Sequence, residues 1–491
     1  MESGSGWRSA LGLKVGRHLE ALLAVLAWGA FAWFVLWQAT VSPQLIWQDS
    51  NAYLAVAAHP LWSTAFWAGA YPPLVPLLWK TTGSTASFVL AQGVLGVAAW
   101  GFLALIVSRL LATPLRRLAA FAALLGFASV TPVVLWNRSV LSESVSLSLV
   151  AALFGCLVLL ARRPSWSRVV AVVAIAVVMV SGRDSLIWTV GALGVIYGVY
   201  AAVRSRQDAR VGVLSAALAV SLVVTAGLAS WGVQYSKREV VSVDSVLEVR
   251  VFPYPARVAW FGRHGMPEAA AIDNLAQLAK PFHPGQAKVV SISKTDPTFG
   301  PLVVWEQVAG PSTYARWIVS HPTYLVTEPL VRPERSSNDA NGSITLYAAT
   351  NRVDSPLTSI LWPTWWWLLP MAVAALASAA LSGVWRSRAW GMVAALSIIG
   401  IIEMVVSWNA DGQEATRHTI EGFLEVRLGV LILLLVGVFS SGGRLADALG
   451  SFRPGRRRRG SSPAAMAPTA SGSTRGGTEH PRSGVGDGGS P

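Results

Sequence analysis

Asp49 is the first carboxylate after a run, Ala21 to Trp47, that contains none. It sits in Trp47-Gln48-Asp49-Ser50-Asn51-Ala52-Tyr53, and the stretch it opens closes at Tyr71-Pro72-Pro73. A carboxylate placed where an apolar helix emerges into water can take the proton from a hydroxyl as that oxygen attacks an electrophile. Comparable positions hold Glu143 in Leu141-Ser142-Glu143, Arg138 in Trp136-Asn137-Arg138-Ser139, Arg183-Asp184 in Ser181 to Ser185, and Glu414, Arg417 and His418 in Asn409 to Glu421. The planar guanidinium fork matches phosphate oxygens. Cations fixed in advance stabilise the negative charge that grows on a leaving group. These residue types make Asp49 and Glu143 the candidate catalytic carboxylates. Arg417, His418, Arg183 and Arg138 are candidate phosphate ligands. Tyr53, Tyr71, Asp184, Glu414 and His264 are candidate substrate contacts.

Each residue also has a plainer role. A carboxylate at a helix end is well solvated, whereas one at a membrane helix centre costs about 2.5–3.5 kcal/mol. Arg183-Asp184 can be a local ion pair capping a helix. His264-Gly265-Met266-Pro267 reads equally as a turn beside an aromatic anchor, and His59-Pro60, His283-Pro284 and His321-Pro322 read as turns. The functional reading therefore rests on convergence: the acids and cations fall on one face only if the helices between them cross a membrane.

Composition supports that crossing. The chain has 491 residues, 53% hydrophobic and 13% charged, with 23 Trp; soluble domains carry about 25% charged residues. Many apolar runs approach the roughly 20 residues needed to span a bilayer. The formal charge of +14 lies in short Arg clusters between those runs. That is the positive-inside pattern rather than the basic, aromatic-interleaved patch of a nucleic-acid binder. The one cysteine, Cys156, lies inside an apolar run and forms neither a disulfide pair nor a zinc motif. No cleavable signal peptide stands out, and the first apolar segment reads as a retained span.

The expected architecture is an all-α polytopic membrane protein with about ten transmembrane helices, at roughly 19–41, 84–108, 118–136, 141–162, 168–181, 186–203, 211–231, 361–384, 390–408 and 422–440. The N-terminal transmembrane module covers 1–231, and its first external loop, 42–83, is expected to hold short interfacial helices. Residues 232–360 are too long for a structureless loop and read as a small mixed extracytoplasmic domain. Val240 to Val251 alternates loosely and suggests a strand. C-terminal helices occupy 361–440. The tail, 441–491, is basic and compositionally disordered. With the N-terminus cytoplasmic, every short Arg-rich connection falls inside. Asp49, Glu143, Arg183, Asp184, Asp411, Glu414, Arg417 and His418 then all fall outside.

At these residues the chain resembles the C superfamily of glycosyltransferases (GT-C), in particular its protein O-mannosyltransferase and aminoarabinose transferase branch. The likeness is carried by Asp49 and Tyr53 followed by Pro72-Pro73, by Ser142-Glu143, by Arg183-Asp184, and by the Glu-x-x-Arg-His element Glu414 to His418. Trp260-Phe261 with His264 to Pro267 is similar to uncharacterised actinobacterial membrane proteins, and the lysine-poor, Arg- and Ala-rich composition suits such a source. The resemblance implies a polyprenyl-phosphate-sugar donor, inversion at C1 and Asp49 as base; the actinobacterial source that the composition suits points to arabinose or mannose as the sugar and a cell-envelope acceptor. One departure stands out: Tyr71 occupies the place before the Pro pair where the aminoarabinose transferase has Lys. No cofactor is implied, and the residues leave room for a divalent cation without assigning its ligands.

Two other classes compete. A transporter or flippase for a lipid-linked glycan would place ionisable groups at mid-membrane depth; Glu403, inside the ninth expected span, fits that pattern. A non-catalytic scaffold would tolerate Asp49→Asn.

Overall fold

The computed structural model describes residues 5–41, 46–252, 254–267, 297–331, 357–410 and 415–451. By contact, Met1–Arg444 forms one compact unit and Leu445–Pro491 a second. Among the described residues the first unit is helical and has no strand.

The helices are, in order, α1 Ser5–Val41, α2 Gln48–Ala58, α3 Thr64–Trp67, α4 Leu74–Thr82, α5 Thr85–Ser108, α6 Pro114–Ala128, α7 Thr131–Val134 running into a 3-10 turn at Leu135–Arg138, α8 Glu143–Arg162, α9 Trp166–Gly182, α10 Leu186–Arg204 and α11 Ala209–Tyr235. Then come α12 Arg238–Val246 with a π turn at Leu247–Val251, α13 Pro255–Arg263, α14 Gly300–Val308, α15 Gly310–Ser320, α16 Pro322–Val331, α17 Thr358–Leu361, α18 Trp365–Ser382, α19 Arg388–Ala410, α20 Ala415–His418 and α21 Ile420–Ser451. Seven are long and apolar enough to cross a bilayer, and up to eight if α6 and α7, bent by 58°, count as one broken span. Two of the ten expected spans, α9 and α18, are shorter apolar helices. The bend follows from Pro132, which cannot continue the hydrogen-bond ladder of α6.

The first loop holds three short helices, α2 to α4, as expected. Lys80 Nζ donates to Ala57 O (2.8 Å) and His59 O (3.0 Å), fastening the end of α2 to α4. Pro72 and Pro73 keep the chain out of helix until α4 starts at Leu74.

The strand expected in Val240 to Val251 is helix instead. Val243, Leu247 and Val251 are buried four residues apart, with Val246 beside them three residues from Val243, which is the helical period, and the valine alternation fits both readings. These residues join Phe261, Trp305 and Trp317 in an apolar cluster of their own. Among the described residues, the segment expected to be a mixed domain is therefore helical. Its first residues, 232–235, belong to α11.

Helices α19 and α21 approach closely because glycine faces glycine. A Cβ on Gly400 would meet the Gly422 carbonyl oxygen at 2.9 Å, and one on Gly422 would meet the Gly400 carbonyl oxygen at 2.7 Å. Small residues permit such backbone approach between membrane helices. The crossing brings Glu403 of α19 level with Glu421 and Glu425 of α21.

Candidate active site

Four chain segments deliver charged side chains to one end of the bundle: the start of α2 (Asp49), the start of α8 (Glu143), the turn after α9 (Arg183) and the turn before α21 (Arg417). Glu143 in the first turn of α8 suits the positive end of the helix dipole. The non-helical stretch before it is pinned by Gln92, whose Nε2 donates to Asn137 O (3.1 Å) and Ser139 O (2.9 Å). Trp47 Nε1 donates to Ser139 Oγ (3.1 Å), tying the residues before Asp49 to the same stretch.

The opposite end of the bundle carries arginines. Arg117 Nε pairs with Glu20 of α1 at 2.7 Å, and Arg116 Nη1 donates to Phe439 O of α21 at 2.5 Å. The start of α1, the start of α6 and the far part of α21 thus meet away from Asp49.

At the acidic end Arg417 forms an ion pair with Asp49, and its Nε lies 2.7 Å from Glu143 Oε1. Arg183 Nη1 lies 3.0 Å from the same Glu143 oxygen and 3.2 Å from Glu421 Oε1. The Glu143 contacts are charge–charge contacts rather than aligned hydrogen bonds, since neither of its oxygens meets hydrogen-bond geometry. Arg183 Nη2 donates to Arg417 O (3.0 Å) and lies 3.3 Å from His418 Nδ1. Guanidinium has only donors, so Nδ1 accepts and the ring N–H sits on Nε2. Tyr71 donates to Asp49 Oδ1 at 3.2 Å, and its ring meets Tyr53 edge-on at 4.6 Å between centroids.

Exposure separates the acids. The Asp49 side chain is 26% exposed; those of Glu143 and Glu421 are fully buried. Burial, and then the Glu143 charge, push the Tyr53 phenol above its ordinary range, so it stays protonated. Burial alone would favour loss of the Arg183 proton. Glu421 and Glu143 outweigh it and hold that guanidinium above its ordinary value, hence charged.

The structure brings together Asp49, Glu143, Arg183, Arg417, His418, Tyr53 and Tyr71. Arg138 is buried at the end of the turn Leu135–Arg138. Asp184 faces another way: Arg238 grips it with Nε (2.9 Å) and Nη2 (3.0 Å) and also donates to Gly69 O (3.1 Å). This pair staples the turn after α9 to α12 and the first loop. His264 stacks on Trp260 at 3.7 Å and donates from Nδ1 to Trp260 O at 2.7 Å. It belongs to the separate aromatic cluster. Glu414 lies outside the described residues, as does Asp411.

Glu421 lies just ahead of the last expected span, 422–440, yet it is the second acid on Arg183 and accepts from Ser146 Oγ at 2.5 Å. Its signal was present. Arg417, Glu421 and Glu425 are four residues apart, which puts them on one face if the helix starts early enough. Among the described residues no group of three or more His, Cys, Asp or Glu is arranged to hold a metal ion.

No protein-family model matches the chain, and no curated protein matches it. The resemblance to GT-C enzymes thus rests on the short motifs themselves.

Proposed function

We propose that the chain is a membrane-embedded glycosyltransferase that moves a sugar from a polyprenyl-phosphate donor to a hydroxyl of a cell-envelope acceptor, with Asp49 as general base. One observation carries this reading: among the described residues, Asp49 is the partly exposed acid of the carboxylates paired with Arg183 and Arg417, while Glu143 and Glu421 are fully buried. In the reaction Asp49 takes the acceptor proton as the acceptor oxygen bonds to C1. The bond from C1 to the phosphate oxygen breaks, and the lipid phosphate leaves with the electron pair. Arg417 and the Nε2–H of His418 meet that phosphate, and inversion at C1 follows from a single displacement. Glu143 holds Arg417 and Arg183 in place without reaching substrate. Arabinose and mannose are the sugars expected of the actinobacterial source that the composition suits. The topology proposed with it has ten spans, α9 and α18 included, in the plasma membrane, with both termini cytoplasmic and Asp49 on the outer face.

A second reading, a transporter or flippase for a lipid-linked glycan, is favoured by a different observation: Glu403 and Glu425 are fully buried inside membrane-spanning helices. Proteoliposomes loaded with radiolabelled polyprenyl-phosphate sugar and a glycan acceptor separate the two. Label in the acceptor supports transfer; label that changes leaflet without reaching the acceptor supports transport.

A further inference from the structure

Behind the cluster at Asp49, three helices bury a second group of side chains that the proposed transfer does not use. Thr189 of α10 stands between two carboxyl groups, its Oγ 2.7 Å from Glu403 Oε2 and 3.3 Å from Glu425 Oε1. All three residues are fully buried. A hydroxyl has one proton to donate. If both carboxyls were ionised, Thr189 could donate to one and would face the other lone pair to lone pair. Both contacts are satisfied only when one carboxyl carries a proton and donates it to Thr189.

An independent observation points the same way. Glu425 Oε2 is buried without a hydrogen-bond partner among the described residues, and Glu403 Oε1 makes no contact that meets hydrogen-bond geometry, with the Ser185 hydroxyl standing near Glu403. An unpaired ionised carboxylate in such a place is strongly disfavoured, and the group takes up a proton instead.

The surrounding charges supply no substitute. From α8 come Glu143 and the Ser146 hydroxyl. From the turn before α10 comes Arg183, already shared by Glu143 and Glu421. Helix α10 brings Thr189 and no charge before Arg204, and α19 brings only Glu403 between Arg388 and its end. On α21, Glu421 lies one turn before Glu425, and Arg427 turns away, donating from Nε to Pro363 O at 3.2 Å and covering the Trp362 ring at 4.6 Å.

We propose that Glu403, Thr189 and Glu425 form a proton-binding site inside the membrane that holds one exchangeable proton at neutral pH. The proton passes between the two carboxyls through the hydroxyl. The acid gives its proton to Thr189 Oγ as the Thr189 proton moves to the other carboxylate, so two O–H bonds break, two form, and the total charge is unchanged. Among the described residues neither acid contacts Asp49 or Arg417, and the two groups adjoin through Glu421 and Arg183.

Infrared difference spectroscopy on the purified full chain in nanodiscs tests this. Wild-type protein labelled with 13C-glutamate is expected to show a protonated-carboxyl stretch at neutral pH that moves with the label and shifts in D2O. The double variant E403Q/E425Q should lose that band. Thr189→Val keeps both acids and should shift the band's frequency, because the hydroxyl partner is gone; this arm serves if the double variant fails to fold. No protonated glutamate band in the wild type at neutral pH overturns the proposal. So does a band unchanged in the double variant or, failing that, in Thr189→Val.

Discussion

Asp49→Asn and Glu143→Gln remove the same charge from neighbouring positions, and the structure predicts opposite consequences. Asp49 is partly exposed, and its partner Arg417 keeps a second acid, Glu143, at 2.7 Å. Asparagine retains an oxygen that can accept from Arg417 and Tyr71. The stability cost should be that of a partly solvated ion pair, at most about 1 kcal/mol. Transfer should fall about 10²–10⁴-fold, the usual contribution of a general base, equivalent to about 3–5 kcal/mol of barrier at about 1.4 kcal/mol per decade. Glu143 is fully buried and touches both guanidiniums with one oxygen. Removing its charge strips a shared partner from two buried cations, a loss of about 3–5 kcal/mol when a buried pair is broken. The assay pairs thermal unfolding of the detergent-purified protein with incorporation of label from a polyprenyl-phosphate sugar into acceptor. The expected pattern is an inactive, stable Asp49→Asn and an unstable Glu143→Gln. Wild-type turnover by Asp49→Asn removes it as base. A stability loss as large as that of Glu143→Gln would instead make it a structural residue.

Further outcomes follow from other parts of the molecule. Gly400→Val places side-chain atoms against the Gly422 carbonyl, so α19 and α21 should separate and the unfolding temperature drop, an overpacking cost of about 1–3 kcal/mol; an unchanged melting curve refutes the close crossing. In a Cys156→Ser background, Ala58→Cys in the first loop should react with a membrane-impermeant maleimide added outside intact cells, and Ser205→Cys only after lysis; labelling of both from one side contradicts the topology. The Tyr53 phenol is harder to ionise folded than unfolded. Its contribution to stability is therefore constant below pH about 10, the ordinary value, and is lost as pH rises above it. Tyr53→Phe should lessen alkaline destabilisation and leave the pH profile of transfer near neutrality unchanged, as unfolding and rate measurements across pH would show.

Much of this arrangement was legible in the chain, for reasons that can be named. Apolar runs near 20 residues mark spans whatever their partners. Arg clusters fix which ends group together, so Asp49, Glu143, Arg183 and Arg417 could be assigned to one face before any contact was known. What periodicity could not give was pairing. Asp184 beside Arg183 looked like its partner, but Arg238, 54 residues on, takes it. Arg183 reaches across instead to Glu143 and Glu421. The Val240 to Val251 stretch satisfied two periods at once, and its packing against Phe261 and Trp317 selected the helix. The last helix begins at Ile420, two residues before the expected span, which is why Glu421 falls inside it, and Gly400 facing Gly422 leaves no pattern that a single sequence reveals.

The cluster also constrains how a lipid phosphate could be received. If all three contacting acids are ionised, Asp49, Glu143 and Glu421 exceed Arg183 and Arg417 by one negative charge. Among the described residues both guanidiniums already face carboxylates, so a phosphate reaching Arg417 takes over a contact that a carboxylate now makes. The Asp49–Arg417 contact is the one placed to yield, because Asp49 alone reaches solvent, whereas Glu143 would have to leave a fully buried position. Arg417 would then turn its fork to the phosphate, and Asp49 would have lone pairs free to accept from the acceptor hydroxyl. Under the proposed reaction, the pairing seen here is a resting state in which the base is held by the same group that later binds the donor, and donor arrival is what frees it.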